Sequence, residues 1–459
     1  MKTIALLTCI LFANIYVAFA QVITVTPPLS NDLNSIEVIF DASQGSGGLA
    51  GYTGDVYAHT GVITNLSTGT SDWKYVKAGW GVNIPDCKLT SLGNNLWKLV
   101  IGPSIRAYYN VPAAEEIQKL AFVFRSGVQV GGTWLEGKTA AGGDIFYDVF
   151  PSSLSVKITN PTDDFLFVDY NAVLPVEVSS LQADSTLLYV DGVKAAGTTL
   201  SLINYNINAT QYGRHLVKAV AKNATTAVAD SFYFYVRPAV TVAELPAGMK
   251  DGINYLSATS ALLSLYAPLK GFAFVIGDFN NWLVDDAYYM KKTPDGKRYW
   301  LQIDNLVPGK EYIYQYLVDN NIRIGDPYAN KVSDPWNDSY ISAGTYPGLI
   351  SYPSGKTQGI ATVLQTSQVP YVWKSGAFAP PKVTDLVIYE LLVRDFTQAQ
   401  TFQSVIDSIG YLWKLGINAI ELMPVGEFEG NLSWGYNPNY YMAVDKYYGP
   451  ANKLKQLVD

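Results

Sequence analysis

The chain has 459 residues, of which 49% are hydrophobic, 13% aromatic and only 15% charged, with a formal net charge of −7. That length predicts about three domains at roughly 150 residues each, and the negative, charge-poor surface argues against nucleic acid or an anionic membrane face as partner, since both need basic surfaces. Two His and two Cys leave too few ligands for a zinc site of the usual kind; no metal-binding residue is assigned and no cofactor is expected, while a calcium requirement stays open. With 33 Tyr and 10 Trp, the surface suits uncharged, hydroxyl-rich ligands with apolar faces, such as sugars.

Residues 1–20 read as an export signal. Lys2 supplies the positive start, an apolar run follows, and Ala18-Phe19-Ala20 makes the small-x-small cleavage pattern before Gln21. The run is broken by Asn14 and Tyr16 and is short for a membrane span. A secreted, periplasmic or cell-surface protein is therefore expected. Its one remaining thiol, Cys87, reads as buried and inert.

From Gln21 to about Val240, short β-branched and aromatic runs alternate with Gly, Asn, Asp and Ser turns. Residues 113–120 are the exception and could form one or two helical turns. Asp191-Gly192 sits between two short apolar runs and signals a hairpin. Seams near Pro151 and Pro238 divide this half into two β-sandwiches, residues 21–150 and 151–240. Residues 241–345 form a third strand-rich block, and residues 346–384, rich in Gly, Pro, Ser and Thr, read as a linker.

After residue 384 the pattern changes. Asp385-Leu-Val-Ile-Tyr-Glu-Leu-Leu392 is nearly continuous apolar sequence, as in a parallel strand buried on both faces. Phe402, Val405, Ile406, Ile409, Leu412 and Trp413 then recur at helical spacing, with Gly416 as the stop. Ile417-Asn-Ala-Ile-Glu-Leu422 is a second strand, which completes a βαβ unit. Another helix starts near Pro450. A complete (β/α)8 barrel takes ~250 residues, so residues 385–459 read as the first one to two βα units of a truncated TIM barrel. The expected architecture is mainly β, three sandwiches in series before that barrel fragment.

Here the residues become recognisable. Leu386-Val-Ile-Tyr-Glu-Leu-Leu-Val-Arg-Asp-Phe396, Leu415-Gly-Ile-Asn-Ala-Ile-Glu-Leu-Met-Pro-Val425, Ser433-Trp-Gly-Tyr-Asn-Pro438 and Tyr447-Tyr-Gly449 resemble the opening of the catalytic barrel of the alpha-amylase superfamily (glycoside hydrolase family 13). The likeness is greatest to its branching and debranching members. Phe274-Val-Ile-Gly-Asp-Phe-Asn-Asn-Trp282, Gly309-Lys-Glu-Tyr-Ile-Tyr-Gln-Tyr-Leu-Val-Asp319 and Asp326-Pro327 resemble the family-48 carbohydrate-binding module that commonly precedes such barrels. Residues 151–240 look like an immunoglobulin-like spacer. Residues 21–150, with Asp55-Val-Tyr-Ala-His-Thr-Gly61, are similar to starch-binding sandwiches of secreted amylases.

The resemblance implies an exported enzyme acting with retention on α-glucosidic bonds in starch, glycogen or maltooligosaccharides. The alternatives are a branching or debranching activity, or a non-catalytic starch-binding protein. Retaining chemistry needs a nucleophilic carboxylate and an acid/base carboxylate about 5 Å apart. In the family these follow later barrel strands, so no catalytic residue is assigned and the chain by itself is expected to be inactive. Glu390, Asp395, Glu421, Glu427 and Glu429 match no catalytic position and are read as structural or solvent-facing. The resemblance implies substrate binding by Tyr436, whose ring stacks on the sugar beside the scissile bond, with Trp434 in the same cleft. Trp282 ends a turn where glucan-binding modules stack a sugar, although Asn321-Ile-Arg323 stands where those modules often carry a second Trp. Trp73 and Trp80 flank Lys74-Tyr-Val-Lys77 among turn residues and are the platform residues of the first module. Trp97 and Trp134 read as core, and His59 and His215 as structural.

Overall fold

The computed structural model describes residues 21–376 and 378–459. The export signal expected over residues 1–20 lies outside the described residues. The chain is mainly β, and it divides into two compact units between Val236 and Arg237.

The N-terminal unit opens with a two-sheet sandwich. Its strands are β1 (Ile23–Thr26), β2 (Ile36–Asp41), β3 (Val56–Thr64), β4 (Thr90–Gly93), β5 (Leu96–Ile101), β6 (Ile117–Ser126), β7 (Glu136–Gly137) and β8 (Ile145–Asp148). One sheet runs β1-β2-β5-β4, and the other runs β3-β6-β7 with β8 also paired to β6. Strand side chains alternate between faces. Ile36, Val38 and Phe40 therefore share the inner face with Trp97, Leu99 and Ile101, against Val56, Ala58, Leu120, Phe122 and Phe124 of the other sheet. Phe40 and Phe124 stack across the core at 4.1 Å. Each such side chain stabilises the fold by about 1.5–3 kcal/mol through burial.

The helical turns expected at 113–120 are elsewhere. Residues 117–120 begin β6, and the short helix is Ile105–Tyr109. Ser104 caps it by accepting from the Ala107 N–H at 3.1 Å, and Asn110 closes it in the left-handed region. A polar cap outweighed a weak helical pattern whose Ile117 and Leu120 suit a strand equally well.

Residues 155–237 form a five-stranded and a three-stranded sheet around one core. The Asp191-Gly192 hairpin is present: Ser185–Val190 pairs with Val193–Thr198, and both turn residues have positive φ, 50° and 80°. That is the geometry that favours Asp-Gly.

The C-terminal unit begins with a four-stranded sheet of Gly252–Tyr255, Ala261–Tyr266, Arg298–Ile303 and Lys291–Lys292. It faces a five-stranded sheet built on Ala273–Gly277 and Glu311–Val318. Tyr299, Tyr314 and Tyr316 lie fully buried between them. The stretch expected as a linker carries a strand of this sheet. Ala361–Gln365 pairs antiparallel with Glu311–Val318, and Leu364 is wholly buried. Its short apolar run is flanked by enough Gly, Pro and Ser to read as connector, yet it supplies core.

Beyond it, Ile388–Leu391 and Ala419–Leu422 pair in parallel, joined by the helix Phe402–Lys414. Thr401 caps that helix by accepting from the Ser404 N–H at 3.2 Å, and Gly416 ends it at φ 91°. Phe402, Val405 and Leu412 pack inward with Leu391. Burial of these strands on both faces is not observed. Val387 and Ile388 are half exposed, because the one helix covers one face of a two-stranded sheet. A hairpin, Gly426–Phe428 with Pro438–Val444, and the helix Ala451–Val458 follow. Among the described residues, no helix is long and apolar enough to cross a membrane.

Candidate functional site

Two aromatic surfaces stand out, one in each unit. In the first sandwich, alternation along β3 sends Val56, Ala58 and Val62 inward and leaves Tyr57, His59 and Gly61 on the outer face. Residues 65–84 fold back along β3. Lys74 and Val62 exchange backbone hydrogen bonds at 2.7 and 2.9 Å, and the Lys77 N–H donates to the Thr60 carbonyl at 3.0 Å. Gly61 permits this approach, since a Cβ there would lie 2.9 Å from the Lys74 carbonyl oxygen.

The returning segment lays two indoles on His59. Trp73 stacks on the imidazole at 5.5 Å, and Trp80 meets it edge-on at 5.2 Å. Phe146 of β8 abuts Trp73 edge-on at 6.5 Å. Trp80 is 44% exposed and Trp73 is half-buried, with its indole N–H donating to the Thr70 carbonyl at 3.0 Å. Burial, and secondarily the Arg125 charge, pushes the His59 pKa below its ordinary value, which favours the neutral imidazole. Arg125 fixes the segment's far end: its guanidinium donates to the Asn83 side chain at 2.9 Å and the Val82 carbonyl at 2.7 Å. It lies over the Trp134 ring at 4.8 Å. Trp97 is core, whereas Trp134 is half-buried outside any strand.

His59 was expected to be structural, and Arg125 was not singled out in the sequence. The outward phase of β3 signalled His59, but nothing in sequence placed Trp73 and Trp80 on it. His215 is structural: its two ring nitrogens sit 2.7 Å from an Asp191 carboxylate oxygen and 2.8 Å from the Gln211 carbonyl.

In the C-terminal unit, Trp434 and Tyr436 are 62% and 67% exposed at the tip of the hairpin loop. Gly435 between them has φ 87°, and a Cβ there would lie 2.3 Å from the Pro424 carbonyl oxygen. Glycine is therefore required for the loop to cross Pro424 and send both rings outward. The Ser433 hydroxyl braces the turn, accepting from the Gly435 N–H at 2.9 Å and bonding the Asn437 side chain.

Trp282 is placed differently from the expectation. It is 6% exposed, and its indole N–H donates to Asp278 at 3.1 Å. The other oxygen of Asp278 accepts from the Ile313 N–H at 2.8 Å. A ring so enclosed packs the turn and offers no face to a sugar. The structure does not bring it together with Trp434 and Tyr436.

Beneath the hairpin lies a buried charge cluster. Lys446 bonds Glu427 and sits 3.2 Å from Asp338, with all three side chains nearly excluded from solvent. Burial works to lower the lysine pKa, but the Glu427 and Asp338 carboxylates outweigh it and hold the ammonium charged. Burial pushes Glu427 up to about 7 and Asp445 up to about 6. Asp338 is also raised by burial. Glu427 and Asp338 share one ammonium, with Asp445 close by and held by the Phe428 and Tyr447 N–H groups, so the buried acids hold protons to higher pH than solvent-exposed acids do. Glu427 is thus structural rather than a free acid. Glu390, Glu421 and Glu429 are exposed, and Asp395 pairs with Arg394 at 2.6 Å. Among the described residues no group of three or more His, Cys, Asp or Glu could hold a metal ion.

No family model matches the chain. It is 28% identical over 177 residues, 39% of its length, to a malto-oligosyltrehalose trehalohydrolase of Saccharolobus solfataricus, covering 27% of that protein. It is 28% identical over 202 residues, 42% of its length, to the 1,4-alpha-glucan branching enzyme GlgB of Clostridium perfringens, covering 28% of that protein. The chain thus spans about a quarter of the length of these curated relatives. A solved GBS pullulanase in complex with maltotetraose is similar at 18% identity and TM-score 0.34, over 67% of this chain and 43% of that one.

Proposed function

We propose that this chain is the N-terminal part of an exported α-glucan-active enzyme of the alpha-amylase superfamily, and that its own task is to hold the polymer. The similarity to two enzymes named for malto-oligosyl and 1,4-alpha-glucan substrates carries the reading. The resemblance of the βαβ unit and its Trp-Gly-Tyr loop to the start of a family 13 barrel supports it. Residues 241–345 would serve as a family-48-like module and residues 385–459 as the beginning of the barrel.

The whole protein would hydrolyse α-glucosidic bonds with retention. Branching-type transfer is the second reading, favoured by the GlgB likeness. No catalytic residue is assigned here, and this chain alone should release no reducing sugar from soluble starch. Binding would fall to Trp73, Trp80 and His59 in the first sandwich, and to Tyr436 and Trp434 in the hairpin loop. Flat rings suit the apolar face of glucose. A binding surface outside the catalytic centre raises local substrate concentration on a polymer.

Retention on insoluble starch tests the reading. Trp73→Ala with Trp80→Ala should weaken retention on starch, leaving the part held by the hairpin-loop rings, and lower stability by less than about 2 kcal/mol, since neither ring is core. A larger loss, approaching the ~3–5 kcal/mol of a deleted core aromatic, would return both residues to a packing role. A wild-type protein not retained on starch would end the reading.

A further inference from the structure

Trp336 and Tyr340 are 62% and 77% exposed on the loop that leaves the strand Val332–Ser333. That loop is built to be rigid. Buried Asp334 accepts from the backbone N–H groups of Trp336 and Asn337 at 2.7 and 3.2 Å and from the Asn337 side chain at 2.9 Å. The Asp334 N–H donates to Asp338 at 2.9 Å, and Asp338 faces Lys446 at 3.2 Å.

Lys446 also binds Glu427, at the root of the hairpin loop that carries Trp434 and Tyr436. The two loops touch directly as well: the Asn431 side chain donates to the Asn337 carbonyl at 3.0 Å. One lysine, 2% exposed, and one side-chain amide hydrogen bond therefore tie together two loops that carry four exposed aromatic rings. Burying such an ion cluster is costly and adds little net stability. Its effect here is to fix two surface loops relative to each other.

The chemistry of the surface identifies its occupant. Residues 335–342 and 430–437 contain one charge, Asp338, which is buried against Lys446. The polar side chains beside the rings are amides and hydroxyls, Asn337, Ser339, Ser342, Asn431, Ser433 and Asn437, with apolar Leu432 also exposed. Within these two stretches no exposed charge is present to draw an anionic or cationic ligand, and the nearest exposed charge in sequence is Glu429 at the base of the hairpin loop. The surface matches a neutral chain whose apolar ring faces alternate with hydroxyl edges. Loops fixed before binding also lower the ordering cost that makes shallow contacts weak.

We propose that Trp336 and Tyr340 extend the Trp434–Tyr436 surface into one track for an extended α-glucan strand, a site that rests on the glucan-binding reading above. The probe is maltoheptaose, titrated calorimetrically into the chain carrying W73A and W80A, so that the first sandwich is silent. That parent should still bind. Adding W336A and Y340A should weaken binding at least about tenfold, equivalent to ~1.4 kcal/mol, with an unchanged melting temperature because both rings are on the surface. Equal affinity with and without W336A and Y340A would overturn the track. A parent that no longer binds would also overturn it, while leaving the first sandwich as the glucan site. Failure of the wild-type chain to bind maltoheptaose would instead sink the underlying reading. Concentration-dependent dimerisation abolished by W336A would assign the surface to a second copy and refute the proposal.

Discussion

Replacing Lys446 by Met keeps the length and apolar stem of the side chain and removes the one ammonium that Glu427 and Asp338 share. Breaking a buried ion pair from one side leaves uncompensated charge and costs about 3–5 kcal/mol. The carboxylates have one escape, which is to take up protons. Each protonation costs about 1.4 kcal/mol per unit of pH above the acid's solution pKa. The penalty should therefore be largest at pH 8 and shrink as pH falls, to below about 2 kcal/mol near pH 5. The wild type moves the same way. The folded-state values of Glu427, about 7, and Asp445, about 6, lie above the ordinary 4.5 and 3.8. The folded unit therefore binds protons that the unfolded chain has released, and its stability declines as pH rises from about 4 to about 7. Native-state hydrogen exchange on peptides covering residues 426–448 measures this locally, with the N-terminal unit as internal control. A loss under about 1 kcal/mol at pH 8, or one that does not change between pH 8 and pH 5, would refute the reasoning.

Asp326 is fully buried and accepts from the Tyr314 and Tyr316 hydroxyls at 3.0 and 2.9 Å. Asp326→Ala strands both hydroxyls and should cost at least about 2 kcal/mol in urea unfolding, whereas Asp326→Asn, which can still accept, should cost less. Burial pushes the Cys87 thiol up and it is 1% exposed. A thiol-reactive dye at pH 8 should therefore label it only at the rate at which the first sandwich unfolds, and fast stoichiometric labelling of native protein would contradict that burial.

Period-two patterning in the sequence determined which strand faces meet in the sandwiches, because a half-buried strand writes its orientation into alternate residues. Asp191-Gly192 determined its own hairpin, because two consecutive positive φ angles leave few other residue choices. The βαβ unit was equally legible, since the helix from Phe402 to Lys414 carries its cap, its apolar stripe and its stop within one stretch of chain. The strand Ala361–Gln365 was hidden, because its partner lies some fifty residues earlier and its flanks carry turn residues. The short helix at Ile105–Tyr109 went unread because a single serine cap decided it.

The candidate sites divide along the same line. Exposure of Trp434 and Tyr436 follows from Gly435, a local constraint visible in the sequence. Burial of Trp282 depends on Asp278, whose second oxygen is held by Ile313 of another strand. The assembly of Trp73 and Trp80 on His59 needed the backbone contact of residues 65–84 with β3. Lys446 meets Asp338 from more than a hundred residues away. Sequence spacing carries what neighbouring residues impose on one another. Which charges are desolvated together, and which rings share a surface, is set by contacts between distant segments, and those exist only once the chain has folded.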